Sequence, residues 1–167
     1  VYPQGSANKV IDKEKIIQTL ENELNALAEG LRIYLQSFIE NVVGEMCRYK
    51  SLNPLSALMN AQRVVTFNYT NTYEQVYKCE NVCHIHGNVK DCIILGVNPD
   101  KSDDIDTVDT SFVRFKKYFQ RVVHRSDVDY LEWITKNQQS TSLLVMGHSL
   151  DVTDQDIIVQ MFEAAQY

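Results

Sequence analysis

Four short runs of apolar, largely β-branched residues dominate the sequence after residue 62. They lie at residues 63–69, 81–86, 92–97 and 142–147, and each has the length of a β-strand. Because the runs are mostly apolar rather than strictly alternating, we expect strands covered on both faces, as in a parallel sheet between helices. Apolar residues at helical spacing within 112–134 and 157–165 supply the covering helices. The pattern predicts an α/β fold with a mostly parallel sheet flanked by helices.

The first third of the chain has the pattern of a long amphipathic helix, from about Lys9 to Met46. Its apolar residues recur at alternating steps of three and four, which places them on one stripe: Ile17, Leu20, Leu24, Leu27, Leu31, Tyr34, Phe38 and Val42. Gly30 is a candidate for a break or a close crossing, since glycine in a helix interior costs about 1 kcal/mol. We therefore divide the chain into a helical region, 1–62, and an α/β core, 63–167, within one compact domain.

Charge and composition exclude several classes of protein. Lys and Arg number 16 against 22 Asp and Glu, which gives a formal net charge of −6. Neutralising a phosphate backbone requires concentrated positive charge, so we do not expect nucleic acid as the partner. No apolar run approaches the ~20 residues of a membrane-spanning helix, so no membrane span is expected. The 4 cysteines are unevenly spaced and the amino end lacks a secretory pattern, which predicts a cytoplasmic protein without a disulfide framework.

Polar residues follow three of the predicted strands. The segments are 66–70, 84–88 and 147–150. Open α/β sheets bind ligands at the carboxyl ends of their strands, so these segments are expected to converge on one cleft. His84 and His86, two apart on a strand, would share a face, and Gly87 would permit a sharp turn. Taken singly, each segment also has the composition of an ordinary turn.

In combination, the three segments resemble the bacteriophage abortive-infection AbiH family, which belongs among the sirtuin-like domains. The resemblance rests on four motifs: Phe67-Asn68-Tyr69-Thr70-Asn71-Thr72 followed by Glu74, Ile85-His86-Gly87, Ile94-Leu95-Gly96, and Gly147-His148-Ser149-Leu150 followed by Asp154. Their order and spacing match from about Arg63 to Phe162. Residues 1–62 resemble only a helical region.

The resemblance implies that residues 63–167 form a sirtuin-like, Rossmann-like core acting on NAD. By motif, the catalytic roles fall on Asn68, which would position the nicotinamide ribose or a water, and on His86, the general base on a ribose hydroxyl. The residues implied to bind NAD are Thr66, Asn68, Tyr69, Gly87, Gly147, His148, Ser149 and Asp154. A neutral imidazole, with an ordinary pKa of about 6.5, suits such a base at neutral pH. The implied function is antiphage defence: hydrolysis of NAD to nicotinamide and ADP-ribose, without a metal, in response to a phage protein.

Two departures from the sirtuin-like pattern shape this expectation. The family opens with a strand and a Gly-Asn-Gly-Phe-Asp type of loop, and none of the 6 glycines here forms one. Since the chain also starts at Val1 rather than Met, we expect a fragment truncated at both ends, inactive alone because a pyrophosphate would lack backbone N–H donors. Paired Cys-Xaa-Xaa-Cys motifs of deacetylases are missing as well, which favours dinucleotide hydrolysis over protein deacetylation.

Alternatives of other classes remain open. Two metal sites are possible from the types of ligand in the sequence. A zinc site would use Cys79, Cys83, His84 and Cys92. A hydrolytic metal centre would use His84, His86 and His148 with one of Asp151, Asp154 and Asp156. Asp154 and Asp156 fit better as first-turn acids of a helix that starts near Thr153. The acidic segment 98–110 is expected to be a solvated loop. The alternative function is a non-enzymatic scaffold with a degenerate core, whose N-terminal helix mediates self-association or binds a partner.

Overall fold

A computed structural model gives the fold of the chain. It describes residues 11–49, 54–97, 110–126, 130, 132, 142–150 and 152–165. These residues form a helix-rich arrangement with a two-stranded parallel sheet. The larger Rossmann-like sheet remains a prediction. Most of the acidic segment 98–110 lies outside the described residues, as does most of the helix predicted over 128–134.

The predicted long N-terminal helix is present. Helix α1 spans Lys13–Tyr34, a π-helical turn spans Leu35–Ile39, and α2 continues over Glu40–Arg48. Asp12 caps the start, since its carboxylate accepts a hydrogen bond of 3.1 Å from the Lys15 backbone N–H. Gly30 marks neither a break nor a crossing, because it lies inside α1 and a Cβ there would meet nothing within 4 Å. The irregularity falls instead at the π-helical turn.

Only part of the apolar stripe on this helix is covered. Ile17 is 3% exposed, whereas Leu27 is 63% and Phe38 is 55% exposed. Helix α1 is attached to the core near its carboxyl end, where the Arg32 guanidinium donates a hydrogen bond of 2.9 Å to the Val89 carbonyl. Within the described part of the chain, no helix combines the length and apolar character needed to cross a membrane.

Two of the four predicted strands are confirmed. Helix α3 (Ser56–Met59) leads to β1 (Val64–Thr66), and α4 (Thr72–Tyr77) crosses to β2 (Val82–His84). The strands are parallel, with Val64 opposite Val82 and Thr66 opposite His84. Since a parallel pair needs a crossover connection, α4 between them matches the expected βαβ arrangement.

The other two predicted strands have no regular strand structure. Residues 92–97 carry two isolated bridges, Gly87 to Ile93 and Val97 to Lys116. Residues 142–150 contain no strand, and Leu144 and Met146 are 57% and 49% exposed. A run of four to six apolar residues has no periodicity that separates a paired strand from an extended segment, so the sequence alone could not decide between them.

The carboxyl-terminal part packs short helices against the sheet. It contains a 3₁₀ helix at Thr110–Phe115, α5 at Lys117–His124, a 3₁₀ turn at Val152–Asp154 and α6 at Gln155–Ala164. The start of the last helix agrees with the prediction near Thr153. The central cluster of buried residues comprises Cys83, Ile85, Tyr130 and Ile157, with Val65, Phe67 and Met161 packed against it. This packing brings the start of α6 to the carboxyl end of β2.

Candidate site at the end of strand β2

A glycine turn fixes the backbone around His86. Gly87 has a φ of +75°, and a Cβ at this position would lie 2.2 Å from the Cys92 carbonyl oxygen. Only glycine fits without displacing that backbone. The His86 carbonyl accepts a hydrogen bond of 2.8 Å from the Ile94 backbone N–H, which ties the turn to the next segment. His86 is therefore held on a constrained backbone at the end of β2.

His86 forms a buried pair with Asp154. The distance from His86 Nε2 to Asp154 Oδ1 is 2.9 Å, and the two residues are 3% and 6% exposed. Burial alone raises the pKa of Asp154, but the hydrogen bond and charge of His86 and the neighbouring Lys117 ammonium outweigh it and lower the pKa to about 2. Asp154 is therefore a carboxylate at neutral pH.

The carboxylate of Asp154 determines which nitrogen of His86 carries a hydrogen. A carboxylate only accepts hydrogen bonds, so His86 Nε2 must donate. Among the described residues, Nδ1 of His86 is buried without a hydrogen-bond partner. In the neutral ring that nitrogen has a free lone pair, which is the state of a general base whose orientation is set by an acid.

Two further side chains surround the carboxylate. Lys117 Nζ lies 3.1 Å from Asp154 Oδ1, and His148 Nε2 lies 3.8 Å from Oδ2. The backbone N–H of Leu150 donates to His148 Nδ1 at 2.9 Å, so in the neutral ring the hydrogen of His148 is on Nε2, on the side of Asp154. Lys117 has no local signal in the sequence, because its position beside Asp154 depends on how α5 packs.

The Phe67 ring packs between the two histidines. Its centroid is 4.2 Å from that of His148 and 5.6 Å from that of His86, the latter in an edge arrangement. His148 also borders an open cleft beside β1, which has a cavity volume of about 130 Å³. The residues that line the cleft are Val65, Thr66, Phe67, Asn68, Leu143, Leu144, Val145, Met146, Gly147, His148, Leu150, Ile158, Met161 and Phe162. The lining is mostly apolar, with a few polar groups at the strand end, as is typical of small-molecule sites.

The structure brings together some of the predicted site residues. Thr66, Asn68, Gly147 and His148 line the cleft, and Asn68 is exposed there. His86 and Asp154 do not line the cleft, but each neighbours a residue that does: His86 lies against the Phe67 ring, and Asp154 lies 3.8 Å from His148.

Besides His86 and Asp154, three more of the predicted residues lie outside the cleft lining: Tyr69, Gly87 and Ser149. Tyr69 donates a hydrogen bond of 2.9 Å to the Ile94 carbonyl, and burial together with the Asp154 charge raises its pKa. Gly87 lies in the turn after β2, and Ser149 is exposed.

The two histidines of the His-Ile-His segment bond to different carboxylates. Strand β2 ends at His84, whose Nε2 lies 2.7 Å from Glu74 Oε1 on α4, whereas His86 bonds to Asp154. Within the described residues, no group of three His, Cys, Asp or Glu side chains is arranged to hold a metal ion.

Comparison with known proteins identifies the family of the chain. No curated protein and no solved structure matches the chain significantly. The family model described as bacteriophage abortive infection AbiH matches residues 4–167, which covers both the helical region and the core. The chain therefore belongs to the AbiH family of bacteriophage abortive infection proteins.

Proposed function

We propose that this AbiH protein acts in abortive phage infection by binding NAD and hydrolysing it to nicotinamide and ADP-ribose. Family membership supports the role in phage defence. The observation that carries the enzymatic part is the buried His86–Asp154 pair next to a cleft lined by Asn68 and His148. A Rossmann-like, sirtuin-like arrangement of the core belongs to the same proposal.

Hydrolysis of NAD needs a general base and a site that holds the ribose, rather than a strong acid. The bond between the ribose C1′ and the nicotinamide nitrogen breaks, and its electron pair leaves with nicotinamide, which becomes neutral. Water adds to C1′, and the proton that it gives up restores a ribose hydroxyl that has lost its own proton. His86 Nδ1, oriented through Nε2 by the Asp154 carboxylate, accepts the proton of that ribose hydroxyl as positive charge develops at the sugar and then passes it to solvent. Because Nδ1 is buried and His86 does not line the cleft, this transfer requires the neighbouring Phe67 ring to move aside when NAD binds.

The cleft suits one ring of the dinucleotide. A volume of about 130 Å³ is below the ~300 Å³ of typical ligand sites and admits the nicotinamide end alone. Its apolar wall and the Phe67–His148 pair offer a surface to a planar ring. Asn68, exposed at the end of β1, supplies an amide for the ribose or the attacking water. The rest of the dinucleotide would follow the Gly147–Leu150 turn.

Nicotinamide release from NAD by the protein tests this proposal. We expect release by the wild type and a loss of at least tenfold in kcat for Asn68→Ala, because Asn68 would orient a reacting group. Asn88→Ala is a matched control, since the Asn88 side chain accepts a hydrogen bond from the Lys90 N–H within its own turn. Equal turnover by both variants and the wild type would contradict the role of Asn68.

A second function is favoured by the uncovered stripe on the N-terminal helix. Leu20, Leu27, Phe38 and Val42 are 42%, 63%, 55% and 42% exposed. Exposed apolar side chains along one stripe of a helix are a feature of protein interfaces. The second proposal is self-association through this helix, with the core as a scaffold. Light scattering after size exclusion should give a dimer mass for the wild type and a monomer mass for Leu27→Glu/Phe38→Glu, while a wild-type monomer would exclude self-association.

A further inference from the structure

His84 lies between two groups that only accept hydrogen bonds. Its Nδ1 is 2.9 Å from the backbone oxygen of Asn68, and its Nε2 is 2.7 Å from Glu74 Oε1. A carbonyl oxygen and an ionised carboxylate have no hydrogen to donate, so a ring that bonds both must carry a hydrogen on each nitrogen. The geometry therefore calls for an imidazolium at His84, which is only 5% exposed.

Glu74 is placed to remain ionised beside this ring. It lies in the first turn of α4, where the helix dipole favours negative charge. Burial raises its pKa, but the hydrogen bond from His84, its own backbone N–H and the charges of His84 and Lys90 lower it overall. One carboxylate oxygen, Oε2, is buried without a partner among the described residues, so the charge is balanced mainly by His84.

Hydrogen bonds to Glu40 anchor helix α4 to the N-terminal helix. Glu40 of α2 accepts a hydrogen bond of 2.5 Å from the Asn71 backbone N–H and another from the Gln75 side chain. A connected path thus runs from Glu40 through α4 to Glu74, on to His84 and finally to the Asn68 carbonyl. Of the charged groups along this path, Glu74 bonds to the ring of His84, Lys90 acts on the charge of Glu74, and Glu40 bonds to Asn71 and Gln75.

We propose that His84 is a positioning residue: its doubly protonated ring joins Glu74 to the Asn68 carbonyl and thereby holds the Asn68 side chain at the mouth of the cleft. The effect on turnover rests on the proposed function. The protonation of the ring and the ordering of Asn68 do not, because they concern the protein without substrate.

Histidine side-chain NMR of the ¹⁵N-labelled protein tests the proposal without substrate. The 4 histidines can be distinguished by substitution. At pH 7.5 we expect both nitrogens of His84 to carry hydrogens in the wild type. In Glu74→Gln, the amide can donate to Nε2, so that nitrogen should lose its hydrogen while Nδ1 keeps its bond to Asn68. Glu80→Gln removes the same charge at an exposed neighbouring position and should leave His84 unchanged.

Two further measurements complete the test: the NMR amide signals of Asn68 and the rate of nicotinamide release from NAD. Backbone and side-chain amide signals of Asn68 should shift in Glu74→Gln but not in Glu80→Gln. Nicotinamide release should fall about tenfold in kcat, with a smaller change in KM, and partly recover in Glu74→Asp. A singly protonated His84 in the wild type, unmoved Asn68 signals, or wild-type turnover in a folded Glu74→Gln would each overturn the proposal. If neither the wild type nor any variant releases nicotinamide, the proposed function fails, and the NMR results still decide the positioning role.

Discussion

His86 and Asp154 are 68 positions apart in the chain, and their side chains meet in the interior at 2.9 Å. The contact joins the end of β2 to the residue that precedes α6. Asp154 occupies the N-cap position of α6, yet its side chain makes no capping bond and turns instead to His86 and Lys117. Giving up a cap costs about 1 kcal/mol, which the hydrogen bonds that the Asp154 carboxylate accepts from His86 and Lys117 offset.

The first prediction concerns stability at low pH. The pKa of Asp154 falls from 3.8 to about 2 on folding, so its contribution is complete above about pH 4 and is lost as the pH falls through 2. At 1.36 kcal/mol per pKa unit the contribution is about 2 kcal/mol. Urea unfolding of wild type and Asp154→Asn should show a difference near pH 7 that shrinks toward pH 2. Asp91→Asn, at an exposed position, should show no such trend; a constant difference for Asp154→Asn would contradict the prediction.

The second prediction concerns the Lys117 ammonium, 3.1 Å from the same carboxylate. Lys117→Met removes a positive charge that lowers the Asp154 pKa, so the pKa should rise above 2 while His86 keeps it below 3.8. A carboxyl NMR titration of Asp154 measures this directly. Lys90→Met, exposed on the loop after β2, serves as the charge control. An unchanged Asp154 titration in Lys117→Met would show that the two groups do not interact.

The third prediction compares two glycines. Gly87→Ala should destabilise the protein by about 3 kcal/mol, because the new Cβ meets the Cys92 carbonyl and the backbone has a positive φ. Gly30→Ala should stabilise it by up to about 1 kcal/mol, since alanine favours a helix interior and the site is open. Denaturant unfolding measures both. Equal effects at the two positions would mean that the turn after β2 is not constrained.

The N-terminal helix could be predicted because its evidence is local. Steps of three and four over many residues have only one structural interpretation, and the helix appears with its cap at Asp12. The π-helical turn at Leu35–Ile39 leaves no trace in that spacing. Gly30 looked like the irregular point, but an isolated glycine in an open helix interior is tolerated.

The sequence allowed candidate site residues to be named, but it did not predict which of them contact each other. His86 and Asp154 were selected as candidates by the resemblance of Ile85-His86-Gly87 and of Gly147-His148-Ser149-Leu150 followed by Asp154 to the family motifs. That Asp154 would bond His86 rather than cap α6 depends on a tertiary contact between distant segments, for which the chain has no periodic signal. Strands at 92–97 and 142–147 were expected for the same local reason as β1 and β2, but pairing depends on neighbours that the runs themselves do not specify.

The most direct measurement is nicotinamide release from NAD by the wild type and by His86→Ala. His124→Ala is the matched control, because His124 is an exposed histidine at the end of α5. We expect release by wild type and His124→Ala and a loss of at least a hundredfold in kcat for His86→Ala, with all three proteins folded, since a general base contributes about 10²–10⁴ in rate. Equal release by His86→Ala and the wild type would contradict the role of the His86–Asp154 pair.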